Sequence, residues 1–183
     1  MNDRASTMNK DNLFTRINQQ ILCFLCEYPN DSFYCNQISQ KLGLSKGGTS
    51  QALRFLKKEN LLKKENKGTM IFYQIDLSSP IVKQYKVFQN ILILNVVINK
   101  TKKYSYKIVL FGSCAEGTDS NESDIDILFI TNQKQEIQNI LSKFKTKRKI
   151  QLILKSPQEY ISLEKKEPIF FHEIERGILL WEK

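Results

Sequence analysis

The apolar residues Leu13, Ile17, Ile21, Leu22 and Leu25 recur at helical spacing from Asn12 to Glu27, and Tyr28-Pro29-Asn30 ends the pattern, which predicts a first helix. Ile38 and Leu42 share one face of a short helix from Asn36 to Leu42. Gly43 breaks it, and Ser45 stands where it can cap a third helix running to about Asn60 with Ala52, Leu53 and Leu56 inward. LLKKE and MIFYQID read as two short strands, with Asn66-Lys67-Gly68 as a hairpin signal between them. After Ser78-Ser79-Pro80, the run IVKQYKVFQNILILNVVINK is apolar around much of a helix, which predicts a helix gripped between two domains or paired with its copy in a homodimer. Beyond TKKYSYK, Tyr106 to Phe111 is a strand, Cys114 to Gly117 one helical turn, and Ser123 to Ile130 a second strand.

The predicted organisation is therefore two α+β domains: residues 1–78, a linker or dimerisation helix at 79–103, and residues 104–183 as a mixed sheet of about four strands with helices on one face. Helix, helix, turn, helix and hairpin is the order of a winged helix-turn-helix, and NQISQKLGLSKGGTSQALRFLKKENLLKK resembles that family in its turn and hydrophobic positions over residues 12–76. Charge sharpens the picture. The 183 residues carry a net charge of +9, and segment 41–67 holds eight basic residues against Glu59 and Glu65. A basic third helix and hairpin suit a polyanion, so double-stranded DNA is the expected partner, met by Lys46, Thr49, Ser50, Gln51, Arg54, Lys57, Lys63, Lys64 and Lys67.

The second domain carries the chemistry. Asp124 and Asp126 are two apart on a strand, so both carboxylates leave the same face, while Ile125, Ile127 and Phe129 point into the core and hold the register. Paired carboxylates are hard oxygen ligands for divalent cations, and two Mg2+ ions are the expected metals. Gly112 permits close backbone approach, and Ser113 offers a hydroxyl and an N–H to phosphate oxygens. Gly112-Ser113, ten residues from Cys114 to Ser123, then Asp124-Ile125-Asp126 resembles the nucleotidyltransferase superfamily that shares its fold with DNA polymerase beta, in its minimal form. Gly117 and Ser123 match residues usual in that loop, and the ending PIFFHEIERGILLWEK is similar to the terminal helix and strand of minimal members.

That resemblance implies Asp124 and Asp126 as catalytic metal ligands, Gly112 and Ser113 at the nucleotide phosphates, NTP (ATP first) with Mg2+ as cofactors, and transfer of NMP. In the minimal family it further implies an antitoxin role, with a toxin or other protein as acceptor. The family's third carboxylate aligns with Gln151 in RKIQLILKS, a neutral amide that brings no charge to a metal site, and Glu116 stands where relatives carry a basic residue. Glu159, Glu173 or Glu175 are the acids that folding could bring in instead. A non-catalytic transcription factor using this domain as a ligand sensor or dimerisation module is the alternative that Gln151 supports. A small-molecule nucleotidyltransferase is a third, with little chain left to build an acceptor pocket.

The polar start MNDRASTMNKDN lacks the apolar centre of a signal peptide, and Lys83, Gln84, Lys86, Gln89, Asn90 and Asn95 interrupt the long apolar helix, so a cytoplasmic protein with no membrane span is expected. The four cysteines are then reduced thiols. Cys23, Cys26 and Cys35 lack the second ligand pair of a local zinc site. His172 is expected to be a partly buried helix residue.

Overall fold

The computed structural model describes residues 13–183, so Asn12 and the polar start lie outside the described residues. It divides into two units, at residues 1–82 and 83–183.

In the N-terminal unit, α1 (Arg16–Glu27) begins at Thr15, whose side chain accepts from the Asn18 N–H. It turns Ile21, Leu22 and Leu25 fully inward. α2 (Cys35–Leu42) ends at Gly43, and α3 (Lys46–Lys58) is capped by the Ser45 hydroxyl accepting from Gly48 N–H at 3.2 Å. The first turns of α3 thus gain a satisfied N–H that the sequence promised. The hairpin pairs β2 (Leu62–Lys67) with β3 (Met70–Ile75) in register from Leu62↔Ile75 to Lys67↔Met70. Asn66 and Lys67 are therefore strand residues, and the turn is made by Gly68 and Thr69. A two-residue strand, β1 (Phe33–Tyr34), adds to the other edge of β3, giving the order β1-β3-β2. At two residues it is too short to leave a period-2 signal in the sequence. Among the described residues, three helices and a three-stranded wing in this order form a winged helix-turn-helix.

The helix expected as a separate linker is α4 (Pro80–Thr101). From Lys83 onward it belongs to the C-terminal unit, where Leu94, Val97 and Ile98 pack into the core with Ile108, Leu110, Ile125, Ile127 and Phe129. By length and composition the helix at Pro80–Tyr104 is apolar enough to cross a membrane. Its Lys86, Asn90 and Thr101 are nonetheless buried in hydrogen bonds to this unit, which is how a core helix solvates its polar positions. Phe88, Leu92 and Val96 are exposed along it.

The C-terminal sheet runs β6-β5-β4-β7, from β4 (Lys107–Phe111), β5 (Ile125–Ile130), β6 (Ile150–Lys155) and β7 (Ile178–Glu182). β4 pairs antiparallel with β5 and β7, whereas β5 and β6 are parallel and joined through α6 (Lys134–Leu141). A five-residue α5 (Gly112–Glu116) follows β4 directly. Helices cover both faces of this sheet, in contrast to the one face expected. α4 and Ile137 of α6 lie on one side. On the other, Leu163 of α7 (Pro157–Lys166) and Ile174 of α8 (Pro168–Glu175) cover Val109, Phe111, Leu128 and Ile130. β5 is buried on both faces, and its unbroken apolar run Ile127–Ile130 already carried that pattern.

Candidate functional site

Strand pairing builds the site. Asp126 is the register partner of Phe111 on one side and of Gln151 on the other. Phe111 is the last residue of β4, so the chain turns at Gly112 beside the Asp126 carboxylate. Gly112 has φ 64°, and a Cβ built there would lie 2.6 Å from Asp126 Oδ2. The glycine is therefore required twice, by its left-handed backbone and by the carboxylate packed against it. Asp124 precedes β5 by one residue, outside the strand expected to start at Ser123, and its carboxylate lies 3.6 Å from Lys149 Nζ. Burial, the charge of Asp124 and the charge of Glu173 push the Asp126 carboxyl above its ordinary pKa. Gly112, Ser113, Asp124 and Asp126 are thus brought to one corner of the sheet, with Ser113 half-buried in the first turn of α5.

The loop between the glycine-serine turn and the acids is held from beneath by a buried polar network that the sequence did not reveal. Asp119 is buried and accepts from Arg148 Nη1 and, at 3.2 Å, from Asn90 Nδ2. Lys86 Nζ donates to the Asp119 carbonyl at 2.6 Å and lies 3.7 Å from its carboxylate. Arg148 Nη2 donates to Asn90 Oδ1 at 3.1 Å and to Cys114 Sγ at 3.0 Å, and the Cys114 thiol donates to the Asp124 carbonyl at 3.3 Å. Burial pushes that thiol up to about 11, so it remains a protonated donor at neutral pH. Gly117 closes the same region: a Cβ there would lie 2.2 Å from the Lys83 carbonyl. In the sequence, Arg148 stands in one basic run with Lys145, Lys147 and Lys149. Only the placement of Asp119 separates it from them.

The acids divide by their partners. Glu159 caps α7 and is paired with Lys134 at 2.7 Å, which lowers its carboxyl to about 2. Glu175 accepts from the Tyr160 hydroxyl and lies 3.6 Å from Lys107, and its carboxyl is lowered for the same reason. Glu173 alone of the three acts on Asp126. Gln151 does stand across the strand from Asp126, so the neutral amide occupies the position aligned with the third acid. Among the described residues, no three His, Cys, Asp or Glu side chains are gathered as a ready metal site. The Asp124–Asp126 pair still suits a hard cation: the Asp126 carboxyl is raised by burial first and by the Asp124 charge next, and a divalent ion would relieve that repulsion. His172 is exposed, not partly buried.

In the N-terminal unit, Lys46, Gln51 and Arg54 are exposed on α3, Ser50 and Lys57 are half-buried, and Lys63, Lys64 and Lys67 are exposed on β2. Lys63 lies 3.5 Å from Asp76 and Lys67 3.1 Å from Glu65, so part of the wing's charge is locally met. Thr49 does not belong to this surface. It is fully buried and its hydroxyl donates to the Ser45 carbonyl at 2.9 Å. The spacing of 49 with 52, 53 and 56 places it on the apolar face, a signal present in the sequence but outweighed there by its polarity.

Comparison with known proteins agrees with the geometry of the second unit. Residues 94–183 match the family described as Polymerase beta, Nucleotidyltransferase. Among solved structures, HlyU from Vibrio cholerae N16961 is 24% identical over 45% of this chain and 84% of its own, with a TM-score of 0.38. NolR from Sinorhizobium fredii is 22% identical over 49% of this chain and 76% of its own, at 0.35. Curated proteins give no match. The Gly112-Ser113 turn, the Asp124–Asp126 pair beside it and the matching span from residue 94 to the last residue together identify residues 94–183 as a domain of the polymerase beta-type nucleotidyltransferase family.

Proposed function

We propose that this chain is a DNA-binding regulator whose C-terminal domain binds an NTP, ATP first, with Mg2+ and transfers NMP to a hydroxyl of a partner protein in an antitoxin-like role. The observation that carries the reading is the Asp126 carboxylate packed at Gly112, with Asp124 close enough to act on it. Gly112 and Ser113 would receive phosphate oxygens, and Asp124 and Asp126 would hold the cation. Mg2+, when bound, neutralises phosphate charge as the acceptor oxygen displaces pyrophosphate. Asp124 and Asp126 account for one such ion, while the two-ion arrangement expected from the sequence needs a further acid. Calorimetry with ATP and Mg2+ should give binding heat for the wild type and none for Asp124→Ala/Asp126→Ala. Label from ATP should pass to a co-purified partner and fail to do so in Asp126→Asn.

The exposed Lys46, Arg54 and Lys64 support DNA binding through α3 and the wing, in which affinity falls as salt screens the phosphate contacts. The exposed Phe88, Leu92 and Val96 on α4 offer a surface for a homodimer, to be read by light scattering. Gln151 opposite Asp126 favours a second reading, a nucleotide-sensing regulator without transfer. Binding heat with no labelled partner would decide for it.

A further inference from the structure

We propose that Glu173, carried by α8, supplies the third acidic group of the Asp124–Asp126 cation site, in place of the neutral Gln151 on β6. This rests on the reading of Asp124 and Asp126 as cation ligands, and concerns where their missing companion comes from. The strand cannot provide it, because the residue in register with Asp126 is Gln151 and the residue before Ile150 is Lys149, already paired with Asp124. Two of the other acids are taken: Glu159 by Lys134 and the Ser156 N–H, Glu175 by Tyr160 and Lys107.

α8 is placed to deliver the third. Phe111 is the register partner of Asp126, and the Phe170 ring meets it edge-on at 5.8 Å between centroids. Three and four residues further along a helix is the same flank, which is where Glu173 and Ile174 stand. Ile174 is buried with Val109, Phe111 and Leu128 on that face of the sheet, so α8 is fixed alongside the strand end that carries Asp126. The Glu173 side chain is exposed, so rotation about its own bonds can bring the carboxylate toward a cation without moving the helix. An acid from a helix on the opposite side of Asp126 from β6 would leave Gln151 uncharged at no loss to the ion.

Mn2+ is the probe, titrated into the full-length protein and followed by electron paramagnetic resonance or calorimetry. Glu173→Gln is expected to weaken Mn2+ binding on the order of tenfold. Glu175→Gln should leave it unchanged, and Gln151→Glu added to Glu173→Gln should restore it. Unchanged Mn2+ affinity in Glu173→Gln, with binding lost in Asp126→Asn, would overturn the role of Glu173 while leaving the aspartates as ligands. Equal affinity in wild type and Asp126→Asn would overturn the cation site itself, and this proposal with it.

Discussion

Basic side chains serve opposite ends in the two units. In the N-terminal unit, Lys46, Arg54, Lys63, Lys64 and Lys67 stand exposed along α3 and the wing, where any local ion pair is worth little and the charge acts outward. In the C-terminal unit, Lys86 is 3% exposed and Arg148 is spent on Asp119, Asn90 and Cys114, so charge acts inward as scaffolding for the loop that carries Asp124. A formal charge of +9 therefore counts these two inward-facing cations together with the exposed ones that a polyanion can meet.

The contrast breaks most visibly at Arg148. Arg148→Ala leaves the buried Asp119 short of its main counter-charge and should cost about 3–5 kcal/mol. Trp181, the single tryptophan, lies in the C-terminal unit and reports its urea unfolding by fluorescence. A loss below about 1 kcal/mol would show that the network does not carry the loop.

Glycines provide the next comparison. Gly112→Ala meets Asp126 at 2.6 Å from a left-handed backbone, and should cost about 1–3 kcal/mol together with the heat of ATP binding. Gly47→Ala on α3 has nothing within 4 Å and should stabilise the helix by about 0.5–1 kcal/mol. On the DNA side, Arg54→Ala and Lys64→Ala should each weaken binding by about 1 kcal/mol and flatten the salt slope by about one unit in a fluorescence-anisotropy titration. Thr49→Val should leave that slope as it is.

The smallest effect is the most diagnostic. Because the Asp126 carboxyl titrates above its ordinary value, its ionised form opposes folding above the shifted pKa, and the penalty fades as pH falls through the ordinary one. Asp126→Asn should raise stability at neutral pH by less than about 1 kcal/mol, since the group is partly solvated, and by nothing in acid. A mutation that stabilises the protein while abolishing nucleotide binding marks a residue kept for function.

Much of this was legible in the chain. The Ser45 cap, the break at Gly43, the hairpin and the Gly112-Ser113 to Asp124-Asp126 spacing are local, set within a few turns of backbone by propensity and capping. Thr49 was misread by its polarity, and β5 starts at Ile125, two residues beyond the expected Ser123. The helices that cover the second sheet face, the membership of α4 in the second unit and the Asp119 network join segments dozens of residues apart, and no window along the chain contains them.

What the sequence determined by itself was the element order, the two acids and the glycine that their approach demands, because each follows from short-range geometry. Which cations are spent inside, which threonine faces the core and which glutamates are already paired were decided only when distant segments packed, because a side chain's charge and solvation depend on neighbours that the fold alone supplies.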